Sequence, residues 1–225
     1  MEHKSKYKKI GFIFGLKREM ELVSFKKHNV FCVYGYGKSS KNATLELLKL
    51  GVDIVINFGF AGSISKYVKN GDIVFIDKIF NEKKKKLSTL KFDKNLLRNL
   101  ENNFEFERCN LLTVKKIVSN KKDKLNLLKK FESISVIDME AFYIKEELLK
   151  ANIPMISLKV IFDDLSFDIP SYMKDCIDNK GNLKIRKLLV KLILNPVRIF
   201  NLLTLNLKFS KSKKVFKGLI NSLSD

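Results

Sequence analysis

Six apolar runs separated by amphipathic stretches fill residues 10–164, and this alternation constrains the fold more than any other feature. The runs are IGFIFGL (10–16), VFCVYGYG (30–37), VDIVINFGF (52–60), DIVFIDKIF (72–80), ISVIDM (134–139) and PMISLKVIFDD (154–164). Most are continuously apolar rather than strictly alternating, the pattern of strands buried on both faces. Between them, SSKNATLELLKL (39–50), KNLLRNLEN (94–102), NKKDKLNLLKKF (120–131) and EAFYIKEELLKA (140–151) carry apolar residues at helical spacing. Strands that alternate with helices predict an α/β domain, a three-layer α/β/α sandwich on a mixed central sheet. Residues 1–170 are assigned to this domain and 171–225 to a basic helical C-terminal extension packed on it.

The character of the chain changes near Pro170. From Lys180 to Asp225 there are 11 basic residues and one acidic, half of the formal net charge of +20. In LKIRKLLVKLIL, Ile185, Leu188, Leu189 and Leu192 share one helical face while Lys184, Lys187 and Lys191 share another, the signature of an amphipathic helix. Asn195-Pro196 breaks the pattern, VRIFNLLTLNLKF resumes it and KKVFKGLI closes it. The longest charge-free stretch, Ile199–Leu207, has nine residues, far short of the ~20 that span a bilayer.

A net charge this positive raises nucleic acid as a partner. Only five of the 44 basic residues are Arg, however, and Arg is the residue that reads bases and phosphates bidentately. The run EKKKKL (82–87) reads as a solvated loop. No nucleic acid is expected. The N-terminal stretch MEHKSKYKKIGFIF lacks the apolar core and cleavage site of a secretory signal, so a cytoplasmic location is expected. Cys32, Cys109 and Cys176 match no metal or redox spacing, and His3 and His28 lie outside every motif. Neither a metal site nor histidine catalysis is expected.

Four segments at the ends of predicted strands carry the unusual residues: GLKREME (15–21), YGYGK (34–38), INFGFAGSIS (56–65) and VIDMEAFYI with PMISLKVIFDD (136–164). Ligands gather at the carboxyl ends of strands in such sheets. Glycine pairs there let a ligand approach the backbone, and a carboxylate at the end of an apolar strand implies a cleft.

In order and spacing, these segments resemble the nucleoside phosphorylase/nucleosidase superfamily. The resemblance rests on Ile10-Gly11, Gly15 and Glu19, on Gly35-Tyr36-Gly37-Lys38, and on Gly59-Phe60-Ala61-Gly62. It continues through Gly71-Asp72, Asp138-Met139-Glu140 and Asp163. It implies cleavage of a ribose–purine bond, with Asp163 as the acid at the purine N7 and Glu19 positioning or deprotonating an attacking water. Glu140 would bind ribose hydroxyls, Met139 would pack on the sugar, and Gly59, Phe60, Ala61 and Gly62 would line the base and nucleophile pocket. Lys159 stands where relatives carry Arg and would contact substrate. No cofactor is implied, phosphate being the alternative co-substrate to water. Relatives assemble as homo-oligomers.

A narrower resemblance is to the hopanoid-associated phosphorylases, whose basic C-terminal extension NLKIRKLLVKLILNPVRIFNLL resembles. It implies adenosylhopane as a lipid-linked adenine nucleoside substrate, hopanoid biosynthesis as the context, and peripheral contact of the basic tail with the anionic inner face of the membrane. The alternatives are a methylthioadenosine/S-adenosylhomocysteine nucleosidase or purine nucleoside phosphorylase on a small substrate, or a non-catalytic nucleoside-binding module. Phe60 and Phe162 stand where many relatives have Ser, which removes two hydroxyls near the base pocket.

Overall fold

The computed structural model describes residues 7–25, 27–83, 85–88, 102, 104–166, 168–176, 178, 184–195 and 198–224. Its strands are β1 (Ile10–Phe14), β2 (Val30–Tyr34), β3 (Ile54–Ser63), β4 (Ile73–Asn81), β5 (Lys86–Ser88), β6 (Glu107–Thr113), β7 (Val136–Asp138) and β8 (Met155–Asp163). The helices are α1 (Lys17–Met20), α2 (Ser40–Lys49), α3 (Lys121–Lys130), α4 (Ala141–Lys150), α5 (Ser171–Asp175), α6 (Ile185–Ile193) and α7 (Arg198–Ser224). The six expected strands and three of the expected helices are present; most of the helix expected over 94–102 lies outside the described residues. β6 was not anticipated. The run EKKKKL is only partly a loop, because Lys86 begins β5 and pairs antiparallel with β4.

The α/β class with a mixed sheet is as expected, and the sheet closes on itself. β3 is long enough to take two neighbours on one edge, β1 along Ile54–Asn57 and β7 at Gly62 and Ser63. Its other edge pairs in parallel with β8, which pairs antiparallel with β4. β4 continues to β6 and β6 to β7, both in parallel, which completes a ring through β3, β8, β4, β6 and β7. Closure satisfies backbone groups that an open edge would leave unpaired. β1 and β2 extend the sheet beyond the ring.

Side chains alternate across the strands and feed two cores. Ile13, Val33 and Val55 pack with Ala43 and Leu47 of α2 and Ala141, Ile144 and Leu148 of α4. Phe12, Phe14, Phe58 and Phe75 point the other way, where α7 covers them with Phe216, Leu219 and Ile220. The C-terminal half of α7 is therefore core. Its N-terminal half is not, with Phe200, Leu203 and Leu207 between 55% and 71% exposed. A polar clasp fixes the helix between these halves: Asn70 Nδ2 donates to Phe162 O (2.6 Å) and Ser212 Oγ (2.9 Å), and Ser212 Oγ donates to Ile161 O (2.8 Å).

Candidate active site

The carboxyl ends of β1, β7 and β8 and the second half of β3 surround one cavity of about 250 Å³. Strand geometry explains much of its lining. The β3–β8 register shifts between Ala61 and Gly62, so that Ala61 faces Ile161 but Gly62 faces Asp163. This bulge re-aims the strand, and the consecutive residues Phe162 and Asp163 both line the cavity.

Besides Asp138, three carboxylates line the cavity, and backbone N–H groups hold two of them, Glu19 and Glu140. Glu19 lies on α1, directly after β1, where its Oε2 accepts from the N–H of Leu16 and its Oε1 from the N–H of Phe60, both at 2.9 Å. Glu140 immediately precedes α4; its Oε1 accepts from the N–H of Gly37 (2.8 Å) and its Oε2 from that of Met139 (3.2 Å). Gly37 has φ +55°, a conformation that favours glycine, so the YGYGK turn serves to aim one amide at this carboxylate. The third, Asp163, packs so closely against Gly62 that a β-carbon there would lie 2.9 Å from its Oδ1. At Gly59 a β-carbon would lie 3.1 Å from Glu19 Oε2. Both glycines therefore make room for carboxylates.

Burial decides the proton affinities. It raises the pKa of Glu19, against hydrogen bonds from Phe60 and Leu16 that lower it. It raises Glu140 to about 8, with the Asp138 charge adding to the effect and Lys159 opposing it. Burial likewise raises Asp163, with Lys124 opposing. Its neighbour Asp164 moves the other way, to about 2, because hydrogen bonds from Ser166 and Asn70 overcome the burial. Neighbouring carboxyl groups with diverging proton affinities are a hallmark of acid–base sites.

Two buried lysines balance the carboxylates. Lys159 Nζ lies 3.1 Å from Asp138 Oδ2, each side chain 1% exposed. Asp138 is also bonded by Thr113 Oγ1 (2.8 Å) and the N–H of Ala141 (2.9 Å). Lys124 of α3 is 0% exposed with its Nζ 2.5 Å from Asp163 Oδ2. On the other side of Asp163, Phe60, Phe162 and Phe209 of α7 form a triangle with ring centroids 5.5–6.3 Å apart. All three rings line the cavity. Beyond Tyr36, Val114, Ile117, Val118 and Met139 the space opens into a second cavity of about 810 Å³. Its wall bears Lys115, Lys116 and Lys130 together with Glu82, Asp123 and Asp178.

Of the residues singled out in the sequence, Glu19, Phe60, Ala61, Gly62, Met139, Glu140 and Asp163 line the cavity. Gly59 lies behind it, against Glu19. Lys159 does not reach it and is spent on Asp138. Lys124, Thr113 and Phe209 were not singled out. LLTV (111–114) is an apolar run that signals a strand, but nothing marks Lys124 among the lysines of α3, or Phe209 among the apolar residues of α7.

The mixed, ring-closed sheet with carboxylates gathered at strand ends is the framework of enzymes that cleave nucleosides at the glycosidic bond. The model of the phosphorylase superfamily matches residues 2–171, and the chain belongs to that family. It is a nucleosidase or nucleoside phosphorylase, acting on a nucleoside-type substrate. The chain is 28% identical over 175 residues to the 5′-methylthioadenosine/S-adenosylhomocysteine nucleosidase of Buchnera aphidicola, covering 68% of this chain and 75% of that one. Among solved structures, the corresponding nucleosidase of Helicobacter pylori superposes with a TM-score of 0.61 at 20% identity, covering 71% of this chain and 87% of that one. The one from S. pneumoniae gives 0.63 at 15% identity, covering 96% and 99%.

These relatives overturn the narrower expectation. They are methylthioadenosine/S-adenosylhomocysteine nucleosidases rather than hopanoid-associated phosphorylases. Adenosylhopane, hopanoid biosynthesis and membrane association are withdrawn with it. The tail match rested on a basic amphipathic pattern, which any helix shows when it lays one face on a sheet and keeps lysines in water. The C-terminal half of α7 does this through Phe216, Leu219 and Ile220. Among the described residues no helix is long and apolar enough to cross a membrane.

Proposed function

We propose that this protein hydrolyses the N-glycosidic bond of a small 5′-substituted adenine nucleoside, of the methylthioadenosine or S-adenosylhomocysteine type, and releases adenine. The observation that carries this reading is the convergence of Glu19, Glu140 and Asp163 on one cavity. Bond cleavage leaves positive charge on the sugar and an electron pair on the base. Asp163 gives its proton to N7 as the C1′–N9 bond breaks, and Glu19 takes a proton from the water whose oxygen bonds to C1′. Glu140 binds the ribose hydroxyls. Met139 packs on the sugar, and Phe60, Ala61 and Gly62 line the base pocket.

Water is the nucleophile in this reading because Glu19 stands ready as a base and Lys159 is tied to Asp138. The charged wall of the outer cavity suits the ammonium and carboxylate of an S-adenosylhomocysteine-type substituent better than a long hydrocarbon. The reading places the enzyme in the cytoplasm, where the thiols of Cys32, Cys109 and Cys176 stay reduced. It also takes the enzyme to be a homo-oligomer. The test is chromatographic measurement of adenine release from methylthioadenosine, S-adenosylhomocysteine and adenosine, with and without phosphate. Phosphate-independent release, fastest from the 5′-thio substrates, is expected. Adenine binding without release from any of the three would overturn the reading in favour of a binding module.

A further inference from the structure

Among the described residues three lysines are almost fully buried: Lys124, Lys145 and Lys159. A buried ammonium is costly unless paired. Lys159 meets Asp138, whose oxygens are already bonded by Thr113 and Ala141. Lys145 touches no part of the cavity. Lys124 differs from both. It reaches from α3 beneath the cavity, where its Nζ donates to Asp164 O (2.9 Å) and sits 2.5 Å from Asp163 Oδ2. Asp163 Oδ2 nevertheless lacks a partner with hydrogen-bond geometry, so the contact is one of charge rather than a directed bond.

We infer that Lys124 is a positioning residue for the acid step: its ammonium holds the Asp163 carboxyl group at the base pocket and stabilises the carboxylate left when the proton departs. This rests on the glycosidic-bond reading above. In the step, the C1′–N9 pair passes to the purine, the Asp163 O–H bond breaks, and an N7–H bond forms. A negative charge then stands where water is excluded, and Lys124 is the cation beside it. The other charged group against Asp163 is Asp164, which is itself engaged by Ser166 and by Lys208 of α7 at 3.5 Å. From β3 and β7 the neighbours are Gly62 and Ile137, which carry no charge. Burial alone would make Asp163 cling to its proton; the opposing ammonium lets it go.

The test compares two substrates in the full-length Lys124→Met variant. Adenine must be protonated to leave; the nitrophenolate of 4-nitrophenyl β-D-ribofuranoside need not be. Adenine release from methylthioadenosine should fall about 100-fold, the scale of a general-acid contribution, while nitrophenol release changes less than about 3-fold on the same scale. The basic limb of the pH profile should move up by about one unit or more, because loss of the cation favours neutral Asp163. Lys124→Arg should restore most of the rate. If the methionine variant does not fold, Lys124→Gln is read instead, and if the nitrophenyl riboside is not turned over, the pH limb decides. Equal losses on both substrates, an unmoved limb, or an unchanged adenine rate would overturn the role. Failure of the wild type to release adenine would instead overturn the function proposed above.

Discussion

The two ends of the cavity use the same pair of residue types to opposite effect. At the end proposed to take the sugar, Lys159 meets Asp138, both side chains 1% exposed, and each carboxylate oxygen accepts a hydrogen bond. At the end proposed to take the base, Lys124 meets Asp163, which lines the cavity and carries no hydrogen bond on Oδ2. A fully bonded pair is a strut, since neither partner has capacity left for a ligand. A carboxyl group at the cavity, backed by a charge rather than by a set of directed bonds, is poised to react. Burial is common to both pairs; satisfaction separates them.

The sharpest way to break this contrast is at the base end. Asp163→Asn removes the acid but keeps the shape, and adenine release should fall about 1,000-fold, within the range of general-acid catalysis, with the circular dichroism spectrum unchanged. At the sugar end the corresponding change should act on stability. Lys159→Met leaves Asp138 buried without its cation and should cost about 3–5 kcal/mol, read as a fall in the denaturation midpoint. If Asp163→Asn unfolds the protein while Lys159→Met merely slows it, the contrast is wrong.

Two smaller effects sharpen it. Phe209→Ala removes one side of the aromatic triangle, and KM should rise about tenfold, consistent with the roughly 1–3 kcal/mol of base–aromatic stacking. Glu140 is protonated in the folded protein up to about pH 8, because burial and the Asp138 charge raise it from 4.5. The unfolded chain loses that proton earlier, so stability is fully present below about pH 4.5 and declines as pH rises towards 8. The slope should not exceed about 1.4 kcal/mol per pH unit. Glu140→Gln should flatten the decline in denaturant titrations at several pH values.

How much of this was legible in the sequence depended on whether a residue's role follows from its own segment. The six strands announced themselves as apolar runs, and Glu19, Glu140 and Asp163 stood out because each follows one. β6 did not, because ERCNLLT opens with charged and polar residues that its pairing with β4 and β7 accommodates. Lys124 has four other lysines for company between residues 121 and 130, and only packing against β8 selects it. Phe209 belongs to a helix whose basic pattern suggested a surface, yet it stands beside Phe60 and Phe162. Those two phenylalanines, which in the sequence signified lost hydroxyls, are in the fold two sides of one wall. The pattern of the tail misled for a related reason. A helix that docks on a sheet and one that lies on a lipid surface have the same periodicity, and only the partner tells them apart.

The clasp of α7 by Asn70 and Ser212 bears on when the protein becomes competent. A ribosome delivers β1 to β8, and with them all three carboxylates, well before it delivers Phe209. Domains fold as units, and α7 supplies Phe216, Leu219 and Ile220 to the core behind β1, β3 and β4, so the three carboxylates and the wall that Phe209 completes take their places together. Competence arrives in one late step, when α7 docks and Ser212 finds the Ile161 carbonyl.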